Sequence, residues 1–119
     1  MQVIRKGQAP AEEGSTFTGH VTLERAHRMA GEGGMGVSIV HFDDGALTHW
    51  HVHPGEQVLV ILDGKGRIGT AEESFEVEPG DIVYAAPGER HWHGAAKGHS
   101  MTHVSITNVG APTWFEAPE

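Results

Sequence analysis

Apolar and polar positions along the chain alternate in short bursts, each closed by glycine, proline or aspartate. Turn signals recur about every eight to twelve residues, the spacing of an all-β sandwich or barrel. Candidate strands are Phe17–Glu24, Gly36–Phe42, Leu47–His53, Gln57–Leu62, Gly66–Thr70, Ser74–Val77, Ile82–Ala85, His91–Ala95 and Met101–Thr107. Asp43-Asp44-Gly45, Asp63-Gly64-Lys65-Gly66 and Pro79-Gly80-Asp81 separate them with residues that tolerate positive φ or fix a turn. Leu23–Gly31 is the one stretch whose composition allows a helix, but its apolar face is poor and glycines flank it. Residues 1–16 are polar and read as an N-terminal arm, which leaves 17–119 as a single domain. Gln57–Leu62 (QVLVIL) is apolar on both faces. A strand with one face in water would alternate, so this one is central in the sandwich or covered by another subunit. A homodimer, or an oligomer built from dimers, is the expectation.

Composition narrows the partners. Eight Lys and Arg stand against sixteen Asp and Glu, for a formal charge of −8 over 119 residues. Nucleic-acid backbones and anionic membrane surfaces need a basic patch, so neither is expected as a partner. The chain has no cysteine, which excludes disulfides, thiolate metal sites and a cysteine nucleophile. No apolar run approaches the roughly 18 residues of a membrane helix, and residues 1–14 lack the apolar core of a signal peptide. A soluble cytoplasmic protein is expected. Gly-x-Ser-x-Gly and Walker-type phosphate loops are absent, and Gly31–Gly36 does not follow a strand and open a helix as a dinucleotide fingerprint does.

The ten histidines change the picture, because they are spread along the chain instead of forming one block. In Thr48-His49-Trp50-His51-Val52-His53-Pro54-Gly55-Glu56-Gln57, strand alternation puts His49, His51 and His53 on one face and Trp50 and Val52 on the other. The Pro-Gly turn can bring Gln57 back beside them. In Glu89-Arg90-His91-Trp92-His93-Gly94, His91 and His93 again share a face opposite Trp92. A lone strand histidine is ordinarily a surface or satisfied core residue. Two His-x-His pairs beside tight turns in one small domain read as a site for a divalent metal ion, since imidazole nitrogens suit Zn, Fe, Cu, Ni and Co. His20, His27 and His99 read as solvent-facing, and His41 fits either environment. Trp50 and Trp92, opposite the ligand face, are expected to pack the outer side of the barrel or a subunit interface.

These residues carry a resemblance to the cupins. Gly45 leads into His51-Val52-His53, then Gln57 and Gly64, on the first cupin motif. Gly80, Pro87, Gly88 and His91 follow the second. Gln57 stands where the motif has its usual glutamate, Ala86 replaces the first proline of the second motif, and Ala95 stands where it has asparagine. His-x-His-Pro-x-x-Gln, His-Trp-His-Gly and Met101-Thr102-His103 resemble a narrower group. It comprises the small quercetin-dioxygenase-like, carboxymuconolactone-decarboxylase-related cupins, and it includes manganese-dependent hydroxynitrile lyases. The resemblance implies an all-β jelly-roll barrel (a double-stranded β-helix) with a metal held by His51, His53, Gln57 and His91. His93 and His103 would then stand beside the open coordination positions, as acid–base catalysts or as groups orienting the ligands.

Three imidazoles and an amide give the metal no anionic ligand, which strengthens its Lewis acidity. The amide oxygen is a hard ligand that suits Mn or Fe, while intrinsic affinity favours Zn, Ni, Co or Cu. The expected activity is that of a metal-dependent lyase on a small organic substrate, cleaving or forming a cyanohydrin C–C bond. A metal-dependent dioxygenase and a non-catalytic ligand-binding domain are the alternatives.

Overall fold

The computed structural model describes residues 1–31 and 33–118. Its strands are β1 (Ala11–Glu13), β2 (Phe17–Thr18), β3 (Val21–His27), β4 (Met35–Phe42), β5 (Leu47–Thr48), β6 (His51–Val52) and β7 (Gln57–Gly64). They continue as β8 (Gly66–Gly69), β9 (Ser74–Val77), β10 (Ile82–Ala85), β11 (Trp92–Ala95), β12 (Met101–Asn108) and β13 (Thr113–Trp114). A six-stranded sheet runs β1-β3-β4-β12-β7-β10, a five-stranded sheet runs β2-β5-β11-β8-β9, and β13 pairs with β6. All pairings are antiparallel. The all-β jelly roll expected from the strand pattern and the two motifs is therefore the observed architecture. Among the described residues no helix is long and apolar enough to cross a membrane.

The inward face changes character along the long strands. Reading inward side chains from one end, β4 presents Phe42, Val40 and Ser38, and β7 presents Ile61, Leu59 and Gln57. The same reading along β12 gives Met101, His103 and Ser105. The apolar ends, with Val21, Ala95 and Val77, form the hydrophobic core. The polar ends lie side by side, since Ser38 faces Ser105 and Val40 faces His103 across the β4–β12 ladder. The jelly roll is thus a packed core at one end and a polar chamber at the other.

Three local departures from regular strands matter. The segment expected as one strand over Leu47–His53 is two short strands, β5 and β6, broken at His49-Trp50. The break is where the chain leaves the five-stranded sheet: His49 N–H donates to the Thr16 carbonyl and Trp50 N–H to the Glu116 carbonyl. It resets the parity, so Thr48 and His51 are both buried although an odd step separates them. His49 consequently leaves the face it was expected to share with His51 and His53. Likewise, Phe17–Glu24 divides at Gly19-His20 into β2 and β3, which join different sheets. Leu23–Gly31 holds no helix, because β3 pairs with β4 as far as His27. Within the arm of residues 1–16, Ala11–Glu13 form β1 on the edge of the large sheet.

Gln57–Leu62 lies in β7 between β12 and β10, with Gln57, Leu59 and Ile61 buried on the inner face and Val58 and Val60 half-buried on the outer one. Its outward Val58 and Val60 continue a strip through Val104 and Ile106 on β12 to Ile39 on β4. On the other side the strip ends in Ile82 and Tyr84, which are 63% and 56% exposed. Between β7 and β12 the register slips by one residue at Leu62, a bulge that bends the strand toward its turn. Gly64 makes that turn with φ 80°. A Cβ there would stand 2.0 Å from the Ser100 carbonyl oxygen. Gly64→Ala therefore combines a left-handed backbone, costing about 1–2 kcal/mol, with a clash against rigid backbone. The expected result is a thermal midpoint lower by roughly 5–10 °C, read by circular dichroism; a midpoint unchanged within error would contradict this account of the turn.

Candidate metal centre

The polar chamber is a cavity of about 510 Å³. His51, His53, Gln57, His93 and His103 line it, and all five are buried. His91 is buried beside them, and its backbone forms a bridge with that of His51. The two His-x-His pairs expected from the sequence thus meet at the juncture of β6 and β11. Within the group, His51, His91 and His93 place ring nitrogens within 4.8 Å of one another, an arrangement able to hold a divalent metal ion. The rings of His53 and His91 stack at 5.8 Å, and those of His51 and His53 meet edge-on at 5.1 Å.

Backbone carbonyls fix the orientation of two of these rings. His51 Nδ1–H donates to the carbonyl of His49 at 2.8 Å, and His91 Nδ1–H donates to that of Glu89 at 2.9 Å. A neutral imidazole carries one N–H, so Nε2 of each ring is left with a lone pair. The Gln57 amide is fixed in the same way. Its Nε2–H donates to Ser105 Oγ at 2.9 Å, which turns Oε1 toward His91 Nε2, also at 2.9 Å. Two lone pairs at that distance repel each other unless a cation neutralises them. A proton on His91 is disfavoured, because burial lowers its pKa. Among the described residues both ring nitrogens of His53 are buried without a hydrogen-bond partner, an uncommon and costly state for a polar side chain. Converging neutral lone pairs of this kind fit a divalent metal ion, which requires deprotonated donors.

His93 and His103 form a second unit. His103 Nε2 and His93 Nδ1 share a hydrogen bond of 3.0 Å. The outer atoms, His93 Nε2 and His103 Nδ1, are buried with no partner among the described residues. Thr48 Oγ1 accepts the backbone N–H of His93 and holds it in place. Phe42 packs against both rings, at 5.2 Å from His103 and 6.1 Å from His93.

The remaining histidines lie elsewhere. His20, His27 and His99 are exposed, as expected. His41 points outward, with Nδ1 against Thr102 Oγ1 at 3.0 Å and Nε2 against Glu24 at 2.5 Å. Trp50 and Trp92 meet edge-on at 6.4 Å, with Arg90 over the first and Arg67 over the second. Sequence reasoning missed much of the cavity wall, including Phe17, Thr48, Ser105, Thr107 and Trp114. Ser38 and Val40 also line it, turned inward by the β4–β12 register. Trp114 lies 4.5 Å from His51; an isolated Thr-Trp pair near the C-terminus gives no periodic signal of such a contact.

Comparison with known proteins agrees with this geometry. Residues 38–107 match the family described as Cupin domain. Over 111 residues the chain is 39% identical to the (R)-mandelonitrile lyase of Granulicella tundricola, covering 89% of this chain and 83% of that protein. A solved cupin-like protein from Thermotoga maritima superposes with a TM-score of 0.77 at 33% identity, covering 88% of this chain and 84% of the other. The polyketide cyclase RemF of Streptomyces resistomycificus reaches a TM-score of 0.80 at 16% identity, covering 100% and 88%, a likeness of fold alone.

Burial pushes the site histidines toward the neutral form. Desolvation, then the charge of His91, lowers His51 to about 3. The same two causes lower His53 to about 4. Desolvation lowers His103 to about 4, and desolvation with His103 nearby puts His93 well below its ordinary value. In the unfolded chain each titrates near about 6.5. Below that pH the unfolded state binds protons that the native state refuses, so stability falls as pH falls. Exposed His20, raised by its hydrogen bond to Asp43, opposes this only weakly. In metal-free protein the thermal midpoint is therefore expected to be flat above about pH 7 and to drop steeply from pH 6.5 to 5, where carboxylates remain ionised. A flat profile through that window would show that the histidines are not held neutral by the fold.

Proposed function

The chain belongs to the cupin family, and from that membership we propose that it is a metal-dependent lyase that cleaves and forms cyanohydrins. The observation that carries the reading is the pairing of neutral converging donors with a separate, partnerless His93–His103 unit in one buried cavity. The 39% identity to a mandelonitrile lyase supports the same chemistry. His51, His53, Gln57 and His91 are assigned as metal ligands. His93 lies close enough to belong to the ligand group, but its hydrogen bond to His103 supports a role in proton transfer. Mn or Fe is the metal favoured by the amide oxygen among the donors. When bound, the metal supplies Lewis acidity toward a substrate oxygen without an anionic ligand to offset its charge.

The protein's own part is to move a proton. His103 Nδ1 accepts the hydroxyl proton of the cyanohydrin. The O–H electron pair becomes the second bond of the carbonyl, and the C–CN bond breaks with its electrons leaving on cyanide. His103 Nε2–H passes its proton to His93 Nδ1 across the 3.0 Å hydrogen bond, and His93 Nε2–H protonates cyanide. The products are an aldehyde and hydrogen cyanide, and both imidazoles end neutral in the opposite tautomer. Their depressed pKa values keep them neutral at both stages.

The apolar outer strip through Val58, Val60, Ile82 and Tyr84 is the proposed contact with a second copy of the chain. An exposed apolar sheet face of this extent marks an association surface.

Two outcomes are expected. His51→Ala loses the metal and the activity together, while His103→Ala retains the metal but loses roughly 10²–10⁴-fold in kcat. Elemental analysis beside mandelonitrile cleavage reads both. Oxygen uptake without cyanide release would instead identify an oxygenase. By light scattering the protein is expected to be a dimer at micromolar concentration, and Val60→Lys a monomer; a monomeric parent protein would remove the interface.

A further inference from the structure

We propose that Trp114, with Phe17, forms a fixed aromatic wall that selects substrates bearing an aryl group on the carbinol carbon. The proposal rests on the lyase reading and adds to it the residues that set substrate preference. Trp114 stands opposite His51 in the β13–β6 register, and its ring lies 4.5 Å from the His51 ring at 39°. Phe17 meets it at 6.2 Å and is itself edge-on to Phe42 at 5.9 Å. Both aromatics line the cavity, and Trp114 is 36% exposed, so part of its surface remains free for a ligand. Ser38, Ser105 and Thr107 add hydroxyls to the lining. A flat apolar group on the carbinol carbon would lie against the aromatic wall and leave the hydroxyl free to face His103.

The aromatic wall is braced from outside. Strand alternation turns Trp114 inward and Phe115 outward. Arg90, adjacent to His91, lies between the rings of Trp50 and Phe115 and pairs with Glu116. Backbone bonds from Phe115 N–H to the Trp50 carbonyl and from Trp50 N–H to the Glu116 carbonyl fasten the segment beside Trp114. Trp114 therefore meets a ligand in a fixed place, without an ordering cost at binding. Phe17 is seated by Gly14, where a Cβ would stand 2.3 Å from the phenyl ring. Gly14→Ala thus displaces Phe17 while leaving every site histidine unchanged.

The test compares mandelonitrile with acetone cyanohydrin on metal-loaded protein. Trp114→Leu is expected to lower kcat/KM for mandelonitrile about tenfold and for acetone cyanohydrin by less than about threefold, with metal content unchanged. Trp114→Phe should recover most of the loss, and Gly14→Ala should move selectivity in the same direction as Trp114→Leu. An equal fall for both substrates, or loss of metal, would mean that Trp114 only supports His51, and the proposal fails. Calorimetric binding of benzyl alcohol against tert-butanol separates this from the lyase reading. If neither cyanohydrin is cleaved but benzyl alcohol binds about tenfold more weakly to Trp114→Leu than to the parent protein, the reaction assignment falls and the aryl wall stands. Benzyl alcohol bound equally by both proteins, or by neither, overturns the wall.

Discussion

Much of this structure depends on two ring-to-backbone hydrogen bonds, His51 Nδ1–H to His49 and His91 Nδ1–H to Glu89. Each reaches the carbonyl two residues upstream, and each of those carbonyls belongs to a residue outside the strands. An acceptor engaged in a regular ladder would be committed to a partner strand. The break at His49-Trp50 and the turn before β11 therefore do more than interrupt the sheets. They release the acceptors that fix the tautomer of both rings and direct Nε2 into the chamber. A second-sphere contact of this kind orients a metal ligand and raises its basicity.

Such a chamber is costly to bury, and the fold meets the cost by concentrating it. Five buried histidines and Gln57 occupy one end of the jelly roll. Phe42, Leu59, Ile61 and Met101, each about 2% exposed or less, fill the remainder. The transition occurs within single strands, so the ladders that align the core also align the site. His103 is placed by its pairing with Val40 on one side and Ile61 on the other. Few degrees of freedom remain to the site once the core has packed.

The parts legible in the sequence were those written in local spacing. His-x-His needs only alternation to put two rings on one face, and Gln57 needs only a tight turn to return to them. The all-β class followed from the turn punctuation. The break between Thr48 and His51 was not legible, because the partners that enforce it, Thr16 and Glu116, lie at opposite ends of the chain. The same holds for the aromatic wall and the hydroxyls of the lining. Phe17, Ser105 and Trp114 come from three separate segments, and only the closed fold brings them together.

Neutrality links the chemistry to the architecture. A carboxylate in place of Gln57 would bring a charge into this buried cluster and would need its own hydrogen bonds there. Gln57 avoids both effects. Its oxygen faces the ligand group, and its N–H is taken up by Ser105. Desolvation that would destabilise a charged donor here favours the neutral imidazoles that a metal requires, and it holds the hydrogen-bonded His93–His103 pair neutral as well. The fit to a divalent ion and the sensitivity to acid then follow from one cause, the burial of uncharged polar groups at the polar end of the barrel.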